Sequence, residues 1–232
     1  MSNGKMLLVG VAVPSSGEWK VDFALSLLEI QRALIQHPKV KGYTGVGLKI
    51  FCQRGSMLAQ QRQGLVDKAI EGGCSHVLFL DDDMVFPPHL IHMLASHHRN
   101  VVACNCPTKA IPGSPTARTF VKGDAAGRPL YTTFGAKGLV KVWRVGTGVM
   151  LINLKVFEKI PKPWFDFTWK EGYDATEGED WYLCKKFEEA GVEVFVDQEA
   201  SAFIGHIGSY VYTHDDVALP DDQDKQLIQG VK

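Results

Sequence analysis

The chain has 232 residues, of which 45% are hydrophobic and 10% aromatic, and its formal net charge is −1. A chain of this size can bury a large core, and its near-neutral charge gives no general attraction to nucleic acid or to an anionic membrane. Five cysteines, mostly inside apolar segments, predict reduced thiols. The C-x-C pair Cys104 and Cys106 has no second pair, which disfavours zinc. We find no signal peptide and no apolar run of about 20 residues, and so expect a cytoplasmic protein without a membrane partner.

Strands and helices alternate in the front half of the chain. Apolar runs indicate strands, and apolar residues at helical spacing indicate helices between them. The predicted strands are 6–13, 46–51, 77–80 and 101–104, and the predicted helices are 21–35, 57–70 and 87–97. This alternation predicts an α/β fold with a mainly parallel central sheet flanked by helices. Ligands bind at the carboxyl ends of the strands in such sheets.

Three adjacent aspartates, Asp81, Asp82 and Asp83, follow the third predicted strand. Adjacent carboxylates repel one another, so such a cluster is unfavourable unless a cation lies beside it, and Mg²⁺ or Mn²⁺ suits oxygen ligands of this kind. The alternative is an acidic turn that caps the helix predicted to begin near Pro87. The position of the triplet at the carboxyl end of a strand favours a binding role.

The back half of the chain is more irregular. Residues 111–127 are rich in Gly, Pro and Ser, and a helix is predicted at 174–190. Further strands are predicted at 139–145, 148–153, 192–196 and 202–204. The last residues have little to bury. We therefore predict one domain, 1–215, with a front half at 1–110 and a back half at 111–215, followed by a mobile tail at 216–232.

Several motifs occur in an order that resembles a known family. They are a strand ending in VAVP, an R-x(7)-R pair before a helix, LDDDM, TGVMLINLKVF, GEDWYLCKKFEEAGVEV and GHIG. In this order, over about residues 6–212, they resemble GT-A glycosyltransferases of the family 2-like group. The resemblance implies a GT-A (Rossmann-like) fold, with a donor half at 1–110 and an acceptor and catalytic half at 111–215.

The resemblance also implies a reaction. A sugar would pass from a nucleotide-diphosphate sugar, commonly a UDP-sugar, to a hydroxyl acceptor. Stand-alone enzymes of this size occur in bacteriophages, where some glycosylate hydroxylated bases in DNA. A hydroxymethylated base in phage DNA is therefore one expected acceptor, with the host cytoplasm as the location in that case. The near-neutral net charge of the chain gives no support to DNA binding.

The resemblance assigns metal and catalytic roles to particular residues. Asp81 and Asp83 match the D-x-D motif, which with His206 would hold Mn²⁺ or Mg²⁺, and His214 is a nearby alternative to His206. Asp82 would contact the donor. The acidic pair Glu179 and Asp180 would be catalytic, with Asp180 as the general base in an inverting enzyme. The alternative is that this pair only caps a helix.

Donor and acceptor contacts follow from the same comparison. The donor contacts would be Pro14, Ser15, Ser16, Arg62 and Lys109, although the two basic residues could equally be surface charges. The acceptor contacts would be Trp164, Trp169 and Trp181, since aromatic faces stack on sugars or bases. The alternative is that two of the four aromatics in 164–169 anchor their loop to the core.

Two other functions stay open at this stage. A nucleotidyltransferase acting on sugar phosphates shares the α/β sheet and the aspartates, but the Gly-rich basic signature expected after the first strand is missing. A non-enzymatic, calcium-stabilised carbohydrate-binding module would need spaced ligands like those of an EF-hand, which the triplet lacks. The sequence indicates neither the sugar, the nucleotide base, the stereochemistry nor the oligomeric state.

Overall fold

The structure, a computed structural model, describes residues 5–169 and 176–218. The strands of these ranges are β1 (Leu7–Ser15), β2 (Val46–Arg54), β3 (His76–Leu80), β4 (Met84–Val85), β5 (Val101–Ala103), β6 (Arg118–Val121), β7 (Asp124–Pro129), β8 (Leu139–Val142), β9 (Val149–Asn153), β10 (Thr168–Trp169), β11 (Thr176–Glu177), β12 (Val194–Asp197), β13 (Gly205–Ile207) and β14 (Val211–Tyr212). The α-helices are α1 (Val21–Gln36), α2 (Leu58–Glu71), α3 (Leu90–Ala95), α4 (Glu179–Glu189) and α5 (Gln198–Ser201). Short 3-10 helices lie at Leu154–Val156 and His214–Asp216.

A seven-stranded sheet in the order β2-β1-β3-β9-β5-β12-β8 forms the centre of the fold. Strands β2, β1, β3, β5 and β12 run in one direction, and β9 and β8 run in the other. The predicted α/β class, with a mainly parallel sheet flanked by helices, is confirmed. The two strands that run opposite to the other five were not predicted, because short apolar runs do not indicate strand direction.

Helices cover both faces of the sheet because the buried strands are apolar on both sides. In β3, Val77 and Phe79 belong to the core that α2 and α4 cover, whereas Leu78 and Leu80 belong to the core under α1 and α3. This alternation is the two-residue period of a strand. Burial on both faces fixes the register of β3, and so fixes where the acid triplet that follows it is placed.

Several predicted boundaries are wrong by a few residues. Helix α3 begins at Leu90 rather than near Pro87, and strand β13 lies at 205–207 rather than 202–204. Residues 174–175 of the predicted fourth helix lie outside the described residues, and α4 itself begins after Gly178. Strand β1 continues through Pro14 to Ser15, paired with β2, where a loop was predicted.

The packed part of the chain extends beyond residue 215. The Gly113 amide donates to the carbonyl of Asp216 at 2.8 Å, and Val217 is buried. The tail predicted from 216 therefore begins too early, and 219–232 lies outside the described residues. All five cysteines are free. Within 5–169 and 176–218, no helix is long and apolar enough to cross a membrane.

Candidate active site

The acid triplet forms a tight turn between β3 and β4. The Asp81 amide donates to the Gly148 carbonyl at 3.0 Å, and the Met84 amide donates to the Asp81 carbonyl at 3.1 Å. Strand β4 then pairs with β13, so that His206 lies opposite Met84, and the Ile207 amide donates to the Asp83 carbonyl at 2.7 Å. Pairing between residues distant in sequence therefore brings His206 to the triplet.

The helix-capping interpretation of the triplet is wrong. The residue before α3 is His89, whose side chain makes no capping hydrogen bond, and β4 separates the triplet from that helix. The three carboxylates instead lie half-buried at the carboxyl end of β3. This edge is where ligands bind in sheets of this kind.

Arg62 of α2 is a buried brace between two acidic groups. Its Nη2 lies 3.0 Å from Asp81 Oδ1 and donates to Oδ2 at 3.1 Å, and its Nε donates to Glu179 Oε1 at 3.3 Å. The Arg62 side chain is only 3% exposed. The predicted direct donor contact of Arg62 is therefore not supported, because its guanidinium is enclosed and already paired. It positions Asp81 instead.

We predict that Arg62→Leu lowers the free energy of unfolding by about 3–5 kcal/mol, since it leaves the carboxylates of Asp81 and Glu179 buried without their cation. Urea unfolding followed by circular dichroism measures the change. Arg32→Leu is the matched control, because Arg32 pairs with Glu29 on the exposed face of α1 and its loss should cost less than about 1 kcal/mol. Equal stability of Arg62→Leu and the wild type would show that the contacts of Arg62 with Asp81 and Glu179 do not stabilise the fold.

Asp180 and Glu179 begin α4 but differ in their surroundings. Glu179 is 7% exposed and bound to Arg62, so its predicted catalytic role is not supported by this geometry. Asp180 is half-buried, and its Oδ1 accepts from the Trp181 amide at 2.7 Å. Burial, with the nearby charge of Glu179, raises the pKa of Asp180 to about 6. A carboxyl with this pKa is ionised at neutral pH and is basic enough to accept a proton.

His206 and Lys109 contact opposite oxygens of Asp83. His206 Nε2 lies 3.4 Å from Asp83 Oδ1, and the Lys109 ammonium forms an ion pair with Oδ2. Although burial opposes it, the contacts with His206 and Lys109 lower the pKa of Asp83 to about 2. The alternative ligand His214 points elsewhere, since its Nε2 bonds the Asn105 carbonyl at 2.9 Å.

The described residues include no ready-made group of three His, Cys, Asp or Glu side chains around one metal position. Asp82 Oδ2 is nevertheless buried and has no hydrogen-bond partner among those residues, whereas Asp81 Oδ1 has Arg62 Nη2 at 3.0 Å. Buried carboxylate oxygens without partners are costly, and a hard divalent cation would satisfy them. The triplet and His206 thus have the chemistry of a Mg²⁺ or Mn²⁺ site, although Lys109 now holds Asp83.

The predicted donor contacts Ser15 and Ser16 lie at the same sheet edge, at the end of β1. The Ser15 amide donates to Gln61 Oε1 at 2.8 Å, the Ser15 hydroxyl accepts from the Gly17 amide at 3.0 Å, and Ser16 is exposed. A cavity of about 550 Å³ opens there. It is lined by Ser15, Gly17, Trp19, Cys52 and Arg54. Burial raises the pKa of Asp82, with the Ser15 hydroxyl acting in the opposite direction, which places Asp82 beside this loop.

The predicted acceptor aromatics separate into buried and exposed residues. Trp164 is 6% exposed, packs against Phe157 with ring centres 4.8 Å apart, and donates from Nε1 to the Ile160 carbonyl. Phe165 is also buried, so two of the four aromatics do anchor the loop, and an acceptor role for Trp164 is not supported. Trp169 is 67% exposed and Trp181 is half-buried beside Asp180.

We predict that Trp164→Ala lowers the free energy of unfolding by about 3–5 kcal/mol, because it empties a buried site. Trp169→Ala, five residues away, should cost less than about 0.5 kcal/mol, as a substitution of an exposed side chain usually does. The pair can be compared by denaturant unfolding. Similar costs for the two variants would mean that Trp164 is not part of the core.

Sequence analysis gave no role to the residues that join the two acidic centres, although Thr147 and Gly148 begin the TGVMLINLKVF motif. A Cβ placed on Gly146 would lie 3.6 Å from Asp180 Oδ2, and one on Gly148 would lie 3.3 Å from Asp81 Oδ2. Between them, the Thr147 carbonyl lies 3.5 Å from Arg62 Nη1. The T-G pair before β9 was the available signal. The Trp19 and Arg54 walls of the cavity were also missed, because Trp19 belongs to no motif and the R-x(7)-R motif, which begins at Arg54, was used only for Arg62.

Comparison with known proteins gives structural similarity only. The crystal structure of A197 from STIV matches with a TM-score of 0.58 and 17% sequence identity, over 93% of this chain and 98% of that chain. The crystal structure of GalNAc-T7 with UDP, GalNAc and Mn²⁺ matches with a TM-score of 0.47 and 13% identity, over 90% of this chain and 45% of that chain. No family model and no curated protein matches the sequence. The chain therefore shares its fold with A197.

Proposed function

We propose that this protein is a metal-dependent glycosyltransferase, which moves a sugar from a nucleotide-diphosphate sugar to a hydroxyl acceptor. The observation that carries the proposal is the pairing of two acidic centres through Arg62, which contacts both Asp81 in the acid turn and Glu179 beside Asp180. One centre has a buried carboxylate oxygen without a partner, Asp82 Oδ2, and the other has a carboxyl with a pKa of about 6. A metal-dependent, inverting sugar transfer uses both kinds of group side by side.

The proposed donor site occupies the sheet edge between β2 and β3. Asp81, Asp83 and His206 would hold Mn²⁺ or Mg²⁺, and a cation there supplies stabilisation of the negative charge that develops on the departing nucleoside diphosphate. The cavity bounded by Ser15, Trp19 and Arg54 would receive the nucleoside, with Trp19 as a stacking surface. Uridine is proposed as the base on the family resemblance alone.

Asp180 is proposed as the group that accepts the proton of the acceptor hydroxyl. Its Oδ1 is held by the Trp181 amide, and Gly146 leaves the side of Oδ2 open, as any other residue there would bring a Cβ to 3.6 Å. In an inverting transfer, Asp180 would take this proton as the hydroxyl oxygen attacks the sugar. Glu179 and Arg62 would keep the helix start in place.

The acceptor side is proposed to include Trp181 and Trp169. Trp181 follows the base directly and Trp169 is exposed on β10, which pairs with β11 just before α4. Aromatic faces at these positions suit a sugar ring or an unstacked base. Sugar hydroxyls and the hydroxymethyl group of a modified DNA base both meet the requirement for a hydroxyl nucleophile. An assay for transfer from a UDP-sugar to hydroxymethylated oligonucleotides would distinguish a DNA acceptor from a sugar acceptor.

A thermal-shift panel tests the donor site. UDP, GDP, CDP and TDP are each added with and without Mn²⁺, because a ligand that binds only the native state stabilises it, by about 2.7 kcal/mol at 100 times Kd. We expect stabilisation by one nucleotide in the presence of Mn²⁺ alone. Stabilisation by Ca²⁺ without any nucleotide would instead favour the carbohydrate-binding module, and pyrophosphate release from a nucleoside triphosphate would favour a nucleotidyltransferase.

A further inference from the structure

The Asp83 carboxylate already has basic partners, unlike a carboxylate in an empty metal site. One of its oxygens already has a positive partner in the Lys109 ammonium, and the other faces His206 Nε2 at 3.4 Å. The ammonium on Oδ2 repels a divalent cation that approaches Oδ1 of the same half-buried carboxylate. Metal binding at Asp83 is therefore favoured when Lys109 leaves.

His206 is oriented so that it can serve a cation at this position. Its Nδ1 lies 2.9 Å from the Pro107 carbonyl. A carbonyl oxygen only accepts, so Nδ1 carries the hydrogen of this bond, and Nε2 is the nitrogen that faces Asp83. Holding a histidine ligand through its second nitrogen is the usual way in which proteins orient it for a metal. Pro107 and Lys109 belong to the same loop, so one segment supplies both the orienting carbonyl and the competing ammonium.

Lys109 is free to move, whereas Arg62 is not. The Arg62 side chain is 3% exposed and contacts Asp81, Glu179 and Thr147, whereas the Lys109 side chain is 37% exposed. Partly exposed lysine pairs contribute little net stability and are weakened by salt. The Lys109 stem runs beside Gly208, where an added Cβ would lie 3.5 Å from its Cδ. Its ammonium can therefore leave Asp83 at small cost.

We infer that Lys109 is a resident counter-ion of Asp83, displaced when the divalent cation binds, and that its freed ammonium then contacts the diphosphate of the donor. This inference rests on the proposed function. Before the donor complex forms, Lys109 neutralises a carboxylate that would otherwise be repelled by its two neighbours. Afterwards, the same positive charge would lie next to the diphosphate oxygens, where it would favour binding of donor and cation together.

The test measures the affinities for metal and for nucleotide separately. Mn²⁺ is titrated into the full chain and free Mn²⁺ is followed by electron paramagnetic resonance, first alone and then with UDP, whose own affinity is measured by calorimetry. Lys109→Met removes the ammonium and keeps the stem. Lys141→Met is the matched control, because Lys141, on β8, forms an exposed ion pair with Glu193. Asp83→Asn reports whether the Mn²⁺ measured is bound at this site.

We expect opposite changes in the two affinities. Lys109→Met should bind Mn²⁺ alone about three- to ten-fold more tightly than the wild type, and UDP in the presence of Mn²⁺ several-fold more weakly. Lys141→Met should match the wild type, and Asp83→Asn should lose the Mn²⁺. Unchanged or weaker Mn²⁺ binding by Lys109→Met, with binding still dependent on Asp83, would overturn the inference and leave the proposed function standing. Absence of Mn²⁺ binding from the wild type, even with UDP, would overturn the proposed function as well.

Discussion

Replacing Asp180 with Asn is expected to lower kcat for sugar transfer by about 10² or more, while the affinity for the donor nucleotide stays near that of the wild type. The amide of Asn fills the same space but cannot accept the proton of the acceptor hydroxyl, and loss of a general base has effects of this size. Nucleotide release in the presence of acceptor measures kcat, and calorimetry measures donor binding.

The acidity of Asp180 makes this prediction specific. Burial and the charge of Glu179 raise its pKa to about 6. Below that pH the carboxyl is protonated and cannot act as a base, so kcat/KM should rise about tenfold per pH unit up to pH 6 and level off above it. Asp180→Asn should lose this limb of the profile. Glu189→Gln, at the exposed end of the same helix, is the control and should retain it.

A turnover of Asp180→Asn close to that of the wild type would place the base elsewhere. A wild-type profile without a limb near pH 6 would contradict the role assigned to the raised pKa. A weakened donor affinity in Asp180→Asn would instead indicate that the substitution disturbs the neighbouring contacts of Glu179 and Arg62.

Replacing Asp83 with Ala is expected to abolish Mn²⁺-dependent nucleotide binding and leave the fold intact. Asp83 is partly exposed, and its ion pair with Lys109 is also partly exposed, so its removal should change the free energy of unfolding by no more than about 1 kcal/mol. The nucleotide would lose the cation that bridges it to the protein. Calorimetry of UDP with and without Mn²⁺ measures the loss, with circular dichroism as the check on folding.

Asp67→Ala is the matched control for this variant. Asp67, on α2, forms an exposed ion pair with Lys162. The substitution therefore removes a paired carboxylate that lies outside the candidate site. Nucleotide affinity in Asp67→Ala should equal that of the wild type. Undiminished Mn²⁺-dependent affinity in Asp83→Ala would remove this aspartate from the metal site.

The sheet and the position of the acid turn could be predicted because both follow from local patterns. Apolar runs alternating with helical periodicity define the order of the first elements, and the carboxyl end of β3 follows from that order. Strand directions around β9 could not be predicted in the same way, because residues 149–152 are all apolar and the strand pairs with strands on both sides. Its direction depends on chain connections in three dimensions.

The roles of individual side chains depended on contacts that the sequence does not encode locally. Arg62 and Glu179 are 117 positions apart in the chain, yet their contact turns a predicted donor ligand into a buried brace. Trp164 and Trp169 lie in one aromatic run, and only packing against Phe157 separates a core residue from an exposed one. The ion pair between Lys109 and Asp83 likewise could not be predicted from the sequence, because it depends on how the loop that carries Lys109 folds.

An anomalous-difference map from crystals grown with UDP and Mn²⁺ tests the central claim most directly, because it locates the metal without reference to activity. We predict a peak bounded by Asp81, Asp83 and His206, in contact with the diphosphate, with the Lys109 ammonium moved from Asp83 to the phosphate oxygens. UDP bound without a metal peak at these residues, or a peak only elsewhere in the molecule, would contradict the proposal that this acid turn is the metal site of a glycosyltransferase.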